Sequence, residues 1–150
     1  MINSWLLTSN TDNRATPQHI FDYLNEQFNF TLDPCADDVN HKCSRYFTKE
    51  QDWLQQDWSN ERVFMNPPYG REIGKWVKMA YESSRDDNAL VVCLLPARTD
   101  TKRFHDYIYS HEYPEYRVDI EFIKWRLKFW WSKNSAPFPS MVVAFYPKTI

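Results

Sequence analysis

The sequence is short of glycine, of paired cysteines and of long apolar segments. Glycine occurs only at Gly70 and Gly74, and neither an internal repeat nor a flexible linker is apparent. Three cysteines are an odd number, which gives no disulfide framework and predicts a reducing compartment. The longest strongly apolar run, residues 89–97, is too short to span a membrane and contains Pro96.

The chain also lacks an excess of positive charge. Its formal net charge is −2, whereas a protein that binds DNA by bulk charge is usually basic. Residues 1–90 contain nine Lys/Arg and fourteen Asp/Glu, whereas residues 91–150 contain nine and six. We therefore expect a polyanionic partner to contact the C-terminal part of the chain. No basic segment precedes an apolar one near Met1, so neither a signal peptide nor a membrane anchor is expected.

What the sequence does contain is typical of a single globular domain. With 150 residues, 43% of them hydrophobic and 25% charged, the chain has the size and composition for one core, preceded by a polar arm at residues 1–16. Aromatic residues reach 17% and include seven Trp. These rings either build the core or stack on a flat ligand, and composition leaves both roles open.

Helical and strand patterns alternate along the chain. Thr16 and Pro17 begin a predicted helix over residues 17–28, with Thr as its cap and Pro at its first position. Further helical spacing covers residues 49–56, 73–81 and 101–110, and strand patterns occur at residues 30–32, 44–47, 62–65, 89–95, 118–123 and 141–146. This order predicts an α/β domain with a mostly parallel sheet, whose ligands bind beyond the carboxyl ends of the strands.

The most specific signal is Asn66-Pro67-Pro68-Tyr69, between a predicted strand and a predicted helix. The exocyclic amine of adenine is a poor nucleophile because its lone pair is delocalised into the ring. The Asn66 side-chain oxygen and the Pro67 carbonyl can each accept one hydrogen of that amine, which aims its lone pair at an electrophilic methyl group. Two prolines fix the turn, and Tyr69 can stack on the base. A base in a duplex must be flipped out to reach this loop.

A basic, aromatic segment lies near the C-terminus. Residues 117–133 contain five Lys/Arg and two acids, interleaved with Trp and Phe. This mixture is typical of a surface that holds phosphates and unstacked bases, although an ordinary sheet can have the same composition. Its candidate DNA contacts are Arg126, Lys128, Trp130 and Lys133. Arg98, Lys102 and Arg103 follow the predicted strand at residues 89–95, and Arg98 is the first candidate for a phosphate contact.

Three potential zinc ligands, Cys35, His41 and Cys43, occur within nine residues. Their spacing lacks the close cysteine pair of common structural zinc sites, and no fourth ligand is evident nearby. We therefore expect no bound metal. Cys93 stands in a buried strand pattern and is most simply a core residue.

Four motifs occur in an order that resembles the Dam-like adenine methyltransferases of phages and prophages. They are Thr16-Pro17, Asp33-Pro34-Cys35-Ala36, Gln56-Asp57-Trp58 and Asn66-Pro67-Pro68-Tyr69-Gly70, and the resemblance continues into residues 94–100 and 126–129. It implies a Rossmann-like methyltransferase fold, S-adenosyl-L-methionine as methyl donor and adenine in DNA as acceptor. It also implies a phage or prophage gene product that acts in the cytoplasm of a bacterial host.

The resemblance assigns the methionine end of the cofactor to two segments. Thr16 and Pro17 match the segment that lines the methionine moiety. Residues 33–36 match the first cofactor loop, in which the Asp33 carboxylate helps to hold that moiety. This loop departs from the common methyltransferase pattern because it has no glycine, and Pro34 with the small Ala36 is expected to allow the same close approach.

The adenosine end is assigned to acids further along the chain. Asp57 matches the acid that accepts a hydrogen bond from the cofactor's adenine amine, with Trp58 beside that ring, and Asn66 also borders the cofactor. For the ribose hydroxyls Glu50 is the first candidate and Asp52 the second, and each is equally compatible with a solvated helix residue.

These features together predict a DNA adenine N6-methyltransferase without a separate target-recognition domain. Similar loops also methylate amino groups in RNA and glutamine side chains in proteins, because each substrate offers a planar NH2 group. The basic C-terminal segment favours nucleic acid. A catalytically silent DNA- or cofactor-binding relative is a further alternative. The intact Asn66 loop and the presence of Asp57 argue against it. No motif indicates an oligomeric state.

Overall fold

The computed structural model describes residues 16–109, 116–124, 126–127 and 138–148. Most of the predicted polar arm therefore lies outside the described residues, as do three of the predicted DNA contacts, Lys128, Trp130 and Lys133. Within the described ranges the chain forms six strands, two α-helices and three short helical turns.

The strands form a pair and a four-stranded sheet. The bounds of the six strands are β1 Asp33–Ala36, β2 Tyr46–Thr48, β3 Arg62–Met65, β4 Leu90–Pro96, β5 Val118–Phe122 and β6 Ser140–Phe145. β1 pairs with β2 in parallel, and the order of the larger sheet is β3-β4-β6-β5.

The predicted mostly parallel sheet is not confirmed. β3 and β4 are parallel, but β6 runs antiparallel to both β4 and β5. The sequence of β5, Val-Asp-Ile-Glu-Phe, alternates and leaves its acidic side chains exposed, which is typical of an antiparallel strand that is open to solvent on one face. The sheet is therefore mixed, although the α/β class is confirmed.

The pair and the larger sheet meet at Leu32. Leu32 forms a parallel bridge with Val63, and its carbonyl accepts a hydrogen bond from the Phe64 N–H at 3.0 Å. Because β1 begins at the next residue, β1 lies beside β3. The strands thus follow one another across one layer in the order β2-β1-β3-β4-β6-β5.

Two helices cover opposite faces of this layer. They are α1, Gln18–Phe28, and α2, Ile73–Asp86. Successive side chains of a strand point to opposite faces, so Val63 and Met65 pack in the cluster that contains α2, whereas Phe64 packs in the cluster that contains α1. β4 is buried along its whole length, as its continuous apolar sequence predicts.

The beginning of α1 differs from its prediction. Pro17 occupies the N-cap position with extended backbone, the helix begins at Gln18, and no side chain caps it. Thr16 was expected to be the cap. Its hydroxyl instead accepts a hydrogen bond from Asn66, a partner that lies fifty residues away in the sequence.

The strand predicted at residues 30–32 is displaced toward the C-terminus. Only Leu32 makes a strand bridge there, and β1 continues through Pro34 to Ala36. Pro34 has no N–H to donate, and the register of β1 against β2 shifts between Asp33 and Ala36. A shift of register accommodates a proline that a regular strand would exclude.

The other elements agree with their predictions to within a few residues, with one exception. Two short 3-10 helices, Lys49–Gln51 and Trp53–Gln55, occupy the predicted helical turns at residues 49–56. In the helix predicted at residues 101–110, two α-helical residues precede a short π-helix, Phe104–Ile108, and residue 110 lies outside the described residues. Among the described helices, none is long and apolar enough to cross a membrane.

Candidate active site

The Asn66 loop lies at one edge of the sheet together with the segment that follows Pro96, because β3 and β4 are parallel neighbours. β6 runs the other way, and its first residue, Ser140, pairs with Pro96. Phe138, just before β6, therefore reaches the same edge. We call it the loop-bearing edge. Ligands of α/β sheets bind at such an edge, where the parallel strands end.

Asn66 is half-buried, and its side-chain amide is held from both sides. Nδ2 donates a hydrogen bond to Thr16 Oγ1 at 3.0 Å, and Oδ1 accepts one from the Tyr69 hydroxyl at 3.1 Å. Thr16 is only 3% exposed, so its hydroxyl provides a fixed support. An amide oxygen has two lone pairs and can accept up to two hydrogen bonds, and Tyr69 supplies one of those made to Oδ1.

The backbone on either side of this amide is restricted. Pro67 and Pro68 are both buried, and proline fixes its own φ, so two consecutive residues of the loop have little freedom. Gly70 ends the loop at a φ of 140°, a conformation that residues with a Cβ rarely adopt. One of the two glycines in the chain thus stands where the backbone requires glycine.

Tyr69 connects the loop to β4 and β6. Its hydroxyl also lies 3.4 Å from the Leu94 carbonyl, and its ring packs edge-to-face against Phe138 with 5.3 Å between centroids. The predicted stacking of Tyr69 on a base stays a prediction. Sequence analysis missed Phe138, whose only signal is its place between Pro137 and Pro139 immediately before a strand.

A cavity of about 330 Å³ opens beside Tyr69. Its aromatic wall consists of Trp53, Trp76 and Tyr69, and its polar wall includes Lys49 and Asp52. The remaining lining residues are Leu54, Pro68, Gly70, Arg71 and Glu72. The volume is within the range of small-molecule sites, and flat rings beside polar groups suit a ligand that contains a purine.

Asp33, predicted to hold the methionine end of the cofactor, is only 6% exposed. Its Oδ1 accepts the Cys35 N–H at 3.2 Å and its Oδ2 accepts the Lys42 N–H at 2.9 Å. Burial raises the pKa of this carboxyl from 3.8 to about 6, although both backbone hydrogen bonds oppose the rise. The carboxylate therefore shapes its own loop, and its contact with a cofactor stays a prediction.

The neighbours of Asp33 are equally enclosed. Pro34 and Ala36 are buried within β1, and Cys35 between them is half-buried. Burial, with the nearby Asp33 carboxylate, raises the pKa of the Cys35 thiol well above its usual range, so this cysteine is not an activated nucleophile. Pro17 is buried beside Thr16 at the start of α1. The structure does not bring any of these four residues into the cavity beside Tyr69.

Asp57 and Trp58 are consecutive but differ in exposure. Asp57 is exposed, and its Oδ1 accepts hydrogen bonds from the Ser59 N–H and hydroxyl, which lower the pKa of Asp57 and keep it ionised. Trp58 is 1% exposed and lies in the core, where its ring stacks on Trp76 at 6.2 Å. Trp76 in turn lines the cavity, whereas neither Asp57 nor Trp58 does. The predicted contact of Trp58 with a cofactor ring stays a prediction.

The two candidate acids for a ribose differ in position. Glu50 is exposed on the first 3-10 helix and does not line the cavity, whereas Asp52 does. Asp52 also has a φ of 55°, which turns the chain between the two 3-10 helices. Asp52, the second candidate from sequence, is thus the one that borders the cavity, and the ribose contact of either acid stays a prediction.

The predicted DNA contacts Arg98, Lys102 and Arg103 lie at the loop-bearing edge, after β4. Arg98 is exposed, and its guanidinium stands 5.9 Å from the centroid of the Phe138 ring. Burial, followed by the nearby charge of Arg98, lowers the pKa of Arg103, so two like charges are held close together. Arg126 is exposed, and the rest of its predicted cluster lies outside the described residues.

The potential zinc ligands do not converge. Within residues 16–109, 116–124, 126–127 and 138–148, no three His, Cys, Asp or Glu side chains are grouped to hold a metal ion. His41 Nδ1 donates a hydrogen bond to the Cys43 carbonyl at 2.8 Å, and its ring stacks on Tyr46 at 4.0 Å. Cys35, Cys43 and Cys93 are free cysteines.

Comparison with known proteins gives one family match that covers most of the chain. The family described as DNA N-6-adenine-methyltransferase (Dam) matches residues 3–143. This range contains all of the described site residues discussed above.

Two phage proteins share substantial identity with the chain. A DNA N-6-adenine-methyltransferase of Haemophilus phage HP1 (strain HP1c1) is 39% identical over 98 residues, which cover 64% of this chain and 56% of that protein. A DNA N-6-adenine-methyltransferase of Escherichia phage T1 is 33% identical over 92 residues, or 60% of this chain and 38% of that protein. The matched region thus spans about half or less of either relative.

Proposed function

The chain belongs to the DNA N-6-adenine-methyltransferase (Dam) family, and from this premise we propose that it transfers a methyl group from S-adenosyl-L-methionine to N6 of an unpaired adenine in DNA. The observation that carries the proposal is the position of Asn66. Its half-buried side-chain amide stands at the loop-bearing edge, held in place by Thr16 and Tyr69. The two phage relatives, both DNA N-6-adenine-methyltransferases, support the same activity.

The proposed chemistry needs two acceptors for the two hydrogens of the target amine. Asn66 Oδ1 supplies one and the Pro67 carbonyl the other, and both belong to a loop whose backbone is fixed by proline and glycine. Acceptors that are fixed before the substrate arrives do not have to reorganise during the reaction, which is where much of the rate acceleration arises. As the amine donates both hydrogens to the loop, its lone pair is directed toward the methyl donor.

The residues at this edge fit S-adenosyl-L-methionine, which supplies an electrophilic methyl group when bound. The cavity beside Tyr69 offers aromatic rings for a purine, and the Asp52 carboxylate on its wall can accept hydrogen bonds from ribose hydroxyls. Asp57 remains ionised and exposed, with Oδ1 bonded to Ser59, so Oδ2 can accept a hydrogen bond from an exocyclic amine. The Asp33 loop is proposed to border the methionine end.

The arrangement of elements supports a Rossmann-like methyltransferase fold within the α/β class. The strand order β2-β1-β3-β4-β6-β5, with one helix on each face and the antiparallel β6 next to β4, puts the candidate residues of β1 and β3 at neighbouring strand ends. The phage origin of both relatives supports a phage or prophage gene product that acts in the cytoplasm of a bacterial host.

The proposal is tested by identifying the methylated nucleoside. The protein is incubated with isotopically labelled S-adenosyl-L-methionine and with duplex DNA, single-stranded DNA or RNA of the same sequence, and the nucleosides are analysed by mass spectrometry. We expect label in N6-methyldeoxyadenosine. Label only in RNA, only in cytosine or in no DNA sample would contradict the proposal, and Asn66→Ala serves as the inactive control.

A further inference from the structure

A second groove, of about 500 Å³, adjoins the cavity beside Tyr69 and shares Gly70 and Arg71 with it. One wall is the beginning of α2, and the other is the segment at residues 101–107 after β4. Five of its lining side chains are cationic and only one, Asp106, is acidic. The cations are Arg71, Lys75, Lys78, Lys102 and Arg103. We call this surface the basic groove.

The fold brings these cations together from distant parts of the sequence. Arg71 follows the catalytic loop, and Lys75 and Lys78 are three residues apart on α2, so they share one side of the helix. Lys102 and Arg103 reach the same groove because β3 and β4 end side by side. The sequence signal for the cations on and just before α2 was the helical spacing of Arg71, Lys75 and Lys78. The charge count of residues 1–90, in which acids outnumber bases, did not reveal it.

The positive charge of the groove is only partly neutralised. Lys75 pairs with Glu72 at 3.1 Å, Lys78 with Glu82 at 3.7 Å, and Lys102 with Asp106. These pairs are exposed, so each contributes little and yields readily to another anion.

The two arginines of the groove, Arg71 and Arg103, unlike its three lysines, form no ion pair with a described carboxylate. Arg98 adds a positive charge close to Arg103, and Asp100 adds a negative one. An excess of cations that line a concave surface favours an anionic ligand.

We propose that the basic groove holds the phosphate backbone of the DNA strand next to the target adenine, an inference that rests on the proposed function. An adenine that reaches Asn66 remains attached to its own sugar and phosphates, so the adjoining backbone must pass close to the loop. The groove begins at Gly70 and Arg71, directly after Tyr69. Lysine and arginine contacts to phosphates position a strand without reading its sequence, which suits a chain whose net charge is −2.

The test uses Lys75→Gln/Lys78→Gln and measures the DNA dissociation constant of the full chain over a range of salt concentrations. The ligand is a short adenine-containing duplex, and a second duplex of scrambled sequence is measured in parallel. Each phosphate contact contributes about 0.9 to the slope of log affinity against log salt, so the double variant should lose up to about two units of slope. The loss should be the same for both duplexes, and the cofactor dissociation constant should not change.

A matched control removes two positive charges at the opposite edge of the sheet. Arg117 precedes β5 and Lys148 follows β6, at the ends where Val118 pairs with Phe145, far from the strand ends that carry the loop. Arg117→Gln/Lys148→Gln has the same net charge as the groove variant and should keep the original slope. Lys75→Arg/Lys78→Arg should also keep it, because both charges remain in the groove.

Three results would overturn the inference, and one of them would overturn the proposed function as well. If the wild type methylates DNA and the groove variant keeps the wild-type salt slope, the groove does not hold the backbone, and the proposed function stands. If the wild type neither binds nor methylates DNA, the proposed function fails and the groove assignment fails with it. A slope lost equally in both glutamine double variants would show a general effect of charge and would also contradict the groove.

Discussion

Asp33 and Asn66 are polar residues on neighbouring parallel segments, yet the fold uses them in different ways. Leu32 pairs with Val63, so Asp33 lies only slightly further from the loop-bearing edge than Asn66. Asp33 is almost fully buried, and each of its carboxylate oxygens accepts a backbone N–H of its own loop. Asn66 is half-buried and receives its support from side chains, Thr16 and Tyr69.

The difference separates a residue that shapes its own loop from one that we propose to contact the substrate. An acceptor whose hydrogen bonds all go to nearby backbone groups stabilises a loop, and removing it leaves those groups unpaired. An acceptor that side chains hold in place at the strand ends can bind a reacting group without reorganising. The predictions below change one side of this comparison at a time.

The largest effect is expected for Asn66→Ala. Removing one of two fixed acceptors should lower the single-turnover rate of methyl transfer by about 100-fold or more, as the loss of one preorganised hydrogen-bonding group does in other enzymes. Cofactor affinity measured by calorimetry should change little. If the variant retains more than a tenth of the wild-type rate, Asn66 does not take part in the reaction as proposed.

Asp33→Asn should alter the pH dependence of stability. Because the pKa of Asp33 is raised from 3.8 to about 6, the folded protein holds a proton between about pH 4 and pH 6 that the unfolded chain has released. The Asp33 contribution to the free energy of unfolding is therefore greatest below this window and is lost as pH rises to about 6.

The measurement is urea unfolding of wild type and Asp33→Asn across that window. The stability of wild type relative to the variant should fall by up to about 3 kcal/mol as pH rises, at about 1.4 kcal/mol per pKa unit. It should then remain constant above the window. A difference that rises with pH would show that hydrogen bonding, rather than burial, dominates the carboxyl.

Asp57→Ala should weaken cofactor binding by about ten- to hundredfold, because an ionised acceptor for the exocyclic amine would be lost. Ser59→Ala is the matched control, since it removes the hydroxyl partner of Asp57 and leaves the carboxylate in place. The control should bind the cofactor nearly as the wild type does. Equal losses in the two variants would mean that Asp57 serves the local turn only.

The smallest effect is expected for Tyr69→Phe, which removes the hydrogen bond to Asn66 Oδ1 and keeps the ring against Phe138. The transfer rate should fall by about two- to tenfold, the range for one neutral hydrogen bond. DNA affinity should be unchanged if the ring is what contacts the base. A loss as large as that of Asn66→Ala would mean that the hydroxyl itself takes part in the reaction.

The parts of the fold that the sequence predicted are those fixed by local patterns. β3 and the burial of Ile73, Trp76 and Val77 on α2 follow from apolar spacing, and the Asn66 loop follows from its two prolines. The antiparallel direction of β6 was not predictable, because the apolar sequence of a buried strand has no direction. The mixed sheet is therefore a property of the chain path and not of any single segment.

The parts of the site that sequence analysis missed depend on contacts between distant residues. Thr16 was predicted to cap α1, and its hydroxyl instead accepts a hydrogen bond from Asn66. Phe138 reaches Tyr69 only because β6 begins where β4 ends. Trp58, a candidate for stacking on a ligand, is enclosed by the core. Composition alone could not separate core rings from exposed ones.

The most direct test of the division between these two residues is the single-turnover rate of N6-methyldeoxyadenosine formation by Asn66→Ala and Asp33→Asn at saturating cofactor, under conditions where both variants are folded. We expect Asn66→Ala to have lost about 100-fold or more and Asp33→Asn to remain within about tenfold of the wild type. Equal, large losses in both variants would contradict the account, because the buried carboxylate would then be as close to the reaction as the amide.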